Sequence, residues 1–386
     1  MRGSRQALAA IAALMRFSTS IVQAATPLIL ALAGIKLLNV SVLTVSLWAG
    51  SAAGSLMAVA LRGPRRASVL GLFLMGAATL SMFLDPMTAF VSVPLAGVGA
   101  GLASSILPPL LHMMSPSDRP FEGVASYSTS LSIGLVAAMA FTSLASLKSI
   151  PLAFLASSVV SFFLGATLSF SRVEVPNVKV ELPGPSYIYR LLRKRTFTLP
   201  FTSNAAYSIV LPLVISYWSL YSLKVIGLNP SMSFALLSAM FLASGTIRAL
   251  SMRLTSVKEA YITAEALLVL AMALLLTGQR WLAIAGLLLF SVPHSLIYPA
   301  TLYQALSSDE DPVRANYVFS ASSGGGEVLS PIIAAIVIDR LGIGYIYGAG
   351  LAFSALSTLP ALLLMTCQDK SNYSPTAGIR GDRLGA

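Results

Sequence analysis

Hydrophobic residues fill this chain in long, nearly continuous runs, and polar residues gather in the short gaps between them. About 20 apolar residues in a helix cross the hydrocarbon core of a bilayer. Because the runs are continuous rather than alternating, they favour helices over the strands of a membrane barrel. The pattern predicts twelve spans, at residues 7–33, 40–61, 67–84, 87–112, 123–146, 150–171, 197–222, 231–252, 259–277, 281–306, 313–338 and 343–366.

The sequence contains an internal repeat. The stretch from His294 to Pro331 repeats much of the stretch from Ser104 to Gly134 at a constant shift, which places Tyr127 on Tyr317. The longest polar connection, 172–196, divides six spans from six. The predicted fold class is therefore an all-α membrane protein, with twelve transmembrane helices in two six-helix halves related by an internal repeat. The predicted domains are 1–171, a central cytoplasmic loop at 172–196, 197–366, and a disordered tail at 367–386.

Composition excludes a water-soluble enzyme. Only 10% of the residues are charged and the mean hydropathy is +0.81, whereas soluble domains are roughly 25% charged. With one cysteine, two histidines, no nucleotide-binding motif and no paired catalytic carboxylates, the sequence predicts no enzyme, no cofactor and no metal site. The net charge of +11 does not indicate nucleic acid, because Lys and Arg are enriched in the cytoplasmic loops of membrane proteins.

The distribution of basic residues predicts orientation. Most Lys and Arg residues lie in the connections on one side, together with both ends of the chain, which places both termini in the cytoplasm. We expect a monomer in the lipid bilayer of the plasma membrane. The first apolar run starts like a signal peptide, but it continues past Arg16 and is interpreted as a retained helix. The basic cluster at 190–195 has two interpretations, a lipid-facing segment or a ligand site.

Three local patterns accompany the six-plus-six layout. Arg62-Gly63-Pro64-Arg65-Arg66 follows the second span, Gly97-Val98-Gly99-Ala100-Gly101 lies in the fourth, and Gly324-Gly325-Gly326 precedes Pro331 in the eleventh. With these patterns the chain resembles the major facilitator superfamily of secondary transporters. It departs from that family near Leu61, where an acidic residue is expected, and in the fifth span, which lacks the glycine–proline signature of proton-coupled drug exporters.

The resemblance implies a central cavity lined by spans 1, 4, 7 and 10. Spans 2, 5, 8 and 11 would flank it, and the others would face outward. Binding at the midplane between two repeats is also what alternating access requires.

Arg16 is the first candidate binding residue, because an ionisable side chain inside a membrane is energetically costly and usually has a function. Arg16, Ser20, Gln23 and Pro27 share one helical face. Such a stripe suits an anionic or hydroxylated ligand. The alternatives are that Arg16 extends to the cytoplasmic surface, or that it pairs with a helix C-terminus.

His294 and Glu327 are the candidates for ion coupling, and both are also candidate substrate contacts. Histidine titrates near neutrality, and Tyr298 lies one turn beyond it. Glu327 lies near the middle of its span and could bind and release a proton. The alternatives are a neutral histidine bonded within the bundle, and a glutamate that is a static partner of Arg16 or His294.

Further candidates rank below these. Tyr127, Asn204 and Tyr207 are predicted to line the site. Glu265 is expected to pair with Arg248 or Arg253 as part of the structure. The predicted gating or structural residues are Arg62, Arg65, Arg66, Pro109, Arg248, Glu265, Pro299, Gly324 and Pro331.

Two functions follow as hypotheses. The first is a secondary active transporter that moves a small organic solute by alternating access, with a proton as candidate coupling ion. Its candidate lining favours a small organic anion, a sugar or an amphipathic compound over a cation. The alternative is a transporter-like protein without transport activity, such as a sensor, a scramblase or an assembly partner.

Overall fold

The structure, a computed structural model, describes residues 2–61, 63–104, 107, 111, 122–170, 183–251 and 257–368, and these are almost entirely helical. The first six helices are α1 (Arg2–Leu32), α2 (Leu37–Ala60), α3 (Pro64–Leu84), α4 (Ala89–Ser104), α5 (Glu122–Ser146) and α6 (Leu152–Phe170). The remaining helices are α7 (Pro185–Arg193), α8 (Arg195–Lys224), α9 (Pro230–Ser251), α10 (Val257–Leu276), α11 (Arg280–Leu289), α12 (Ser291–Leu306), α13 (Pro312–Leu341) and α14 (Ile346–Gln368).

The protein is an integral, multi-pass membrane protein. Within the described residues, 10 helices or helix pairs are long and apolar enough to cross a bilayer, and α10 contributes a shorter apolar stretch at 261–276. The all-helical prediction is confirmed. The count of twelve spans and the two-half repeat stay predictions, and the tail beyond 368 lies outside the described residues.

The predicted span 281–306 is two helices rather than one. The first, α11, ends at Leu289, and α12 begins at Ser291. Pro293 has no N–H to donate to the carbonyl of Leu289, and its ring crowds that carbonyl, so the helix breaks one turn before the proline. The break lies one turn before His294.

The last part of the predicted central loop is helical. In α7, Tyr187 and Leu191 are buried against the ends of α5, α12 and α13, while Arg190 and Arg193 are exposed. Lys194, just after α7, forms an ion pair with Asp309 (Nζ–Oδ2 2.7 Å). The basic cluster therefore has an exposed charged face, and its apolar side docks on protein rather than on lipid.

Glycines allow α4 to lie unusually close to α2. A Cβ added at Gly97 would stand 2.1 Å from the carbonyl oxygen of Leu47, and one at Gly101 would stand 1.9 Å from that of Ser51. From the other side, a Cβ on Gly54 would stand 2.2 Å from the carbonyl oxygen of Val98. Small residues of this kind let membrane helices pack backbone to backbone.

Residues 2–170 meet residues 195–368 mainly along α5 with α9 and along α2 with α13. Hydrogen bonds cross the same boundary. The Tyr217 hydroxyl donates to Ser41 Oγ at 3.0 Å, and the Ser219 hydroxyl donates to the carbonyl of Ala24 at 3.2 Å. These contacts enclose the middle of the bundle between the two parts of the chain.

We expect Gly101→Ala to destabilise the protein, because its Cβ would overlap the α2 backbone. Overpacking of this kind costs about 1–3 kcal/mol. Gly325→Ala is the matched control, since a Cβ there meets nothing within 4 Å, and alanine favours a helix over glycine by about 1 kcal/mol. Thermal denaturation of the purified protein in detergent measures both. Equal melting temperatures for the two variants would contradict close packing at Gly101.

The Lys194–Asp309 contact predicts a pH dependence of stability. Burial alone would raise the pKa of Asp309, but the hydrogen bonds from Lys194 and Tyr187 bring this pKa below the ordinary aspartate value. A pKa lowered on folding stabilises the protein above the ordinary aspartate range, and the effect is lost as the pH falls through the lowered pKa.

Asp309→Asn should therefore lower the melting temperature at neutral pH, and the difference from wild type should shrink in acid. A partly exposed pair contributes on the order of 1 kcal/mol or less. Asp339→Asn is the control, because the side chain of Asp339 is 61% exposed. A deficit in Asp309→Asn that persists at acidic pH would contradict this prediction.

Candidate functional site

Three ionisable side chains lie near the middles of their membrane helices. Arg16 lies near the centre of α1, Glu327 is at the centre of α13, and His294 is central in the segment formed by α11 and α12. At about 1.5 Å of rise per residue, each is far from both ends of its helix. We call the residues that surround this level the central polar cluster: Arg16, Tyr127, Tyr207, His294, Tyr298 and Glu327.

Arg16 points into the protein. The exposed positions of the first half of α1, among them Ala10 and Leu14, lie on the opposite side of the helix. Arg16 keeps partial solvent exposure, yet its Nε is enclosed and has no hydrogen-bond partner. Its position is set by Gly134 of α5, where a Cβ would stand 2.2 Å from the carbonyl oxygen of Ala13.

The two residues predicted to share the face of Arg16 differ in what they offer. The Ser20 hydroxyl donates to the carbonyl of Arg16 at 2.6 Å, so its proton is used within α1. Gln23 is buried, and its Oε1 accepts no hydrogen bond. Gln23 is therefore the better placed of the two to contact a ligand.

Glu327 also points inward. The exposed stripe of α13 includes Gly325 and Leu329, and Glu327 lies on the other side of the helix. It is partly exposed, and the described part of the chain provides it with neither a hydrogen bond nor an ion pair. One turn earlier on the same face, Ser323 accepts a hydrogen bond from Asn204 Nδ2 at 2.7 Å.

Arg16 and Glu327 lie within electrostatic range of each other without forming an ion pair. The hydroxyls of Tyr127 and Tyr298 lie within range of both charges. The ring of Tyr298 packs at 6.5 Å from that of Phe319, one face of α12 against α13. A cation and an anion thus both face the interior of the bundle, with aromatic side chains beside them.

His294 is held in an aromatic setting beside this space. It is 4% exposed, and its ring lies 5.4 Å from that of Phe241 and 5.9 Å from that of Phe290. Its Nδ1 is 2.6 Å from the hydroxyl of Tyr207, and its Nε2 is buried without a partner. The alternative of a neutral histidine bonded within the bundle therefore fits only one of the two ring nitrogens, since Nδ1 is paired and Nε2 is not.

Arg248 joins two parts of the chain. Its guanidinium donates to the carbonyl of Ser128 at 2.8 Å and to Ser132 Oγ at 2.7 Å, both in α5. It also donates to the carbonyls of His294 and Ser295 in α12. Ser295 can receive this bond because Pro299, four residues on, has no N–H to offer it.

Glu265 does not pair with Arg248, which corrects the expected pairing; Arg253 lies outside the described residues. Glu265 is 1% exposed, and its Oε1 accepts from the hydroxyls of Ser203 at 2.9 Å and Ser357 at 3.0 Å. Hydroxyls satisfy one oxygen of this carboxylate, and its Oε2 has no partner. The residue links α8, α10 and α14, away from Arg248.

The predicted gating residues take mainly structural positions. Arg65 donates to the carbonyls of Leu168 and Ser169, both at 2.9 Å, and so ties α3 to the end of α6; Arg66 is exposed. Arg62 and Pro109 lie outside the described residues.

Of the predicted structural residues in α13, Gly324 makes no close helix contact, whereas Gly326 does. A Cβ on Gly324 would meet Ala52 at an ordinary 3.5 Å, whereas one on Gly326 would stand 2.5 Å from the carbonyl oxygen of Ala205. Pro331 is buried within α13. Gly326, rather than Gly324, is the residue that sets how closely α13 approaches α8.

Some partners could not be read from the sequence. The pairing of Asn204 with Ser322 and Ser323, and of Arg248 with Ser132, joins residues more than a hundred positions apart. The only sequence feature that marks them is an excess of serine within otherwise apolar helices. Tyr261, whose hydroxyl donates to Ser203, has no distinguishing pattern at all.

Comparisons with known proteins agree with this fold. Two solved structures share the fold, both at 13% identity and with 96% of each chain covered. One is a POT family transporter in complex with 5-aminolevulinic acid (TM-score 0.73), and the other is a POT family transporter in complex with a thioalcohol-conjugated peptide (TM-score 0.74). No curated protein matches the sequence.

The family model of the Major Facilitator Superfamily matches residues 8–309. This range takes in the glycine-rich α4, Arg16 and His294, and it covers well over half of the chain. The resemblance drawn from the sequence is confirmed: the chain belongs to the major facilitator superfamily.

Proposed function

We propose that the protein is a secondary active transporter that moves a small organic solute across the membrane by alternating access. Two six-helix halves, 1–171 and 197–366, would rock around the central polar cluster. The observation that carries this proposal concerns Arg16 and Glu327. Both are central in their helices and partly accessible, and neither forms an ion pair within the described part of the chain.

The cost of placing a charge in the membrane argues against a purely structural role for Arg16 and Glu327. A charged side chain at the bilayer centre costs about 2.5–3.5 kcal/mol on insertion scales. Structural charges in membranes recover such a cost by pairing, as Arg248 does with its carbonyl acceptors. Arg16 and Glu327 leave that cost unrecovered in this conformation, which is expected of groups that wait for a ligand or an ion.

Glu327 is the better candidate for proton coupling. A partnerless carboxylate in the membrane can be neutralised by one proton and released again when access alternates. His294 is less suited, because its ring is buried beside Phe241 and Phe290 and its Nδ1 is already paired with the Tyr207 hydroxyl. We assign His294 to holding the Tyr207 hydroxyl and to offering Nε2 to a solute.

The substrate class in this proposal is a small organic solute. Two transporters of the same fold were solved with 5-aminolevulinic acid and with a modified peptide, which are ligands of this size. With its basic connections on the cytoplasmic side, the protein would act in the plasma membrane as a monomer, with both termini in the cytoplasm. A sensor or scramblase with this fold is the alternative, and it predicts no alternation.

A substrate-free test uses one engineered cysteine. In a Cys367→Ser background, Ser320→Cys lies two turns from Glu327 on α13, and Cys367 is the only native cysteine. A membrane-impermeant thiol reagent should label this cysteine from either side of a reconstituted bilayer, in a ratio that changes with pH. Labelling from one side only would contradict alternating access.

Adding Glu327→Gln should make that ratio independent of pH, because glutamine mimics the protonated, neutral side chain. Glu265→Gln is the control: it removes another carboxylate inside the bundle, one that accepts hydrogen bonds from Ser203 of α8 and Ser357 of α14, and the pH dependence should remain. If Glu327→Gln keeps the wild-type pH dependence, the coupling role of Glu327 is wrong.

Arg248 supplies a separate prediction. Arg248→Lys keeps the charge but cannot reach α5 and α12 at once, and each hydrogen bond to a charged group contributes about 1.5–3 kcal/mol. We expect a lower melting temperature and a larger spread of distances between spin labels on α5 and α12. The exposed Arg340→Lys is the control. An unchanged distance distribution would show that Arg248 does not hold these helices together.

A further inference from the structure

The two unpaired charges of the central polar cluster come from opposite sides of the boundary that a transporter must open. Arg16 belongs to α1, within residues 2–170, and Glu327 belongs to α13, within residues 195–368. They attract each other electrostatically but make no direct contact. Both side chains face the interior of the bundle, so the interior has a positive wall at Arg16 and a negative wall at Glu327.

The positive wall fits a carboxylate. A guanidinium presents several N–H donors in a planar fork, which matches the two oxygens of a carboxylate. The enclosed Nε of Arg16 has no partner to satisfy it. An anion bound there would complete the hydrogen bonding that the protein leaves open.

The negative wall fits an ammonium group. The carboxylate of Glu327 can only accept hydrogen bonds, and the described residues send it none. Pro331, four residues on in α13, has no N–H, so the backbone carbonyl of Glu327 also lacks its usual helical donor. An ammonium has three donors and no acceptor, which matches a group of acceptors without donors.

A ligand with a single charge would fit poorly. An anion on Arg16 would leave Glu327 uncompensated and would bring a second negative charge near it. A cation on Glu327 would do the same to Arg16. One molecule that carries both charges satisfies both walls, and the rings of Tyr127 and Tyr298 offer a less polar surface for the carbon chain between them.

We propose that the central polar cluster selects a small zwitterion, with its carboxylate at Arg16 and its ammonium at Glu327. This inference rests on the proposed transport function and names its substrate class. Because such a ligand contacts α1 and α13 together, it would draw the two halves toward each other on binding. The sequence favours an anion, a sugar or an amphipathic compound as substrate. The proposal restricts this substrate class to compounds that carry both charges.

The test is a binding series that does not depend on transport. The probes are ω-amino acids of increasing length, from β-alanine to aminohexanoate, with hexanoate and hexylamine as single-charge counterparts. Affinity is measured on purified protein by thermal shift and by calorimetry. One chain length should bind best, at least about tenfold tighter than either single-charge compound, which is the factor that one charge-assisted hydrogen bond supplies.

Two variants assign the ends of the ligand. Arg16→Gln should remove the advantage of the zwitterion over hexylamine, and Glu327→Gln should remove its advantage over hexanoate. Glu265→Gln, at a carboxylate that is hydrogen-bonded to Ser203 and Ser357 rather than to a cluster residue, should keep both advantages. Ligand-free melting temperatures and size-exclusion profiles establish that each variant is folded, and Arg16→Lys gives an intermediate case that keeps the charge and loses the fork.

Each alternative result has a definite meaning. If hexanoate binds as tightly as every ω-amino acid, or Glu327→Gln leaves the preference unchanged, the zwitterion proposal is overturned in favour of an anion site. If no member of the series binds, it is also overturned. If a zwitterion binds but the Ser320→Cys label does not change sides, the zwitterion site is supported and the transport proposal is contradicted. If the label changes sides but no member of the series binds, transport is supported and the zwitterion site is contradicted.

Discussion

The structure depends on how two opposite charges are held apart in the middle of a membrane. Arg16 and Glu327 face the interior, on sides of their helices opposite to the exposed stripes, and no residue that the structure describes pairs with either side chain. In hydrocarbon this arrangement would be unstable, because each charge would lose its hydration without gaining a contact. It is tolerable only in an enclosed space that admits water, an ion or a solute, and such a space between two sets of helices is the working part of a transporter.

The helices around this space are positioned by backbone contacts rather than by interlocking side chains. Gly134 brings α5 onto α1 next to Arg16, and Gly326 brings α13 onto α8 next to Glu327. Gly97 and Gly101 seat α4 against α2 in the same manner. Such contacts leave little room for sliding, so each group of helices can move as a unit while the charged residues keep their places within it.

The boundary between the two parts of the chain is held differently, by polar contacts that can be exchanged. Arg248 binds carbonyls of α5 and α12, and the Tyr217 and Ser219 hydroxyls cross from α8 to α2 and α1. Near the chain connection, α7 packs on the ends of α5, α12 and α13. Hydrogen bonds to backbone carbonyls can break and re-form with small shifts, which suits the opening of this boundary in the proposed transport cycle.

The sequence by itself determined the class of the protein, its helical runs, its family and the three ionisable residues at the level of the site. These follow from local chemistry, since a bilayer demands long apolar helices and makes every interior charge conspicuous. The tertiary structure decided the partners. Arg248 binds α5 and α12, and Glu265 binds Ser203 and Ser357. Arg16 and Glu327 face the interior and have no ion-pair partner among the residues that the structure describes. Helical periodicity fixes the direction of a side chain about its own axis but not which distant helix lies opposite, and that is set only when the whole bundle packs.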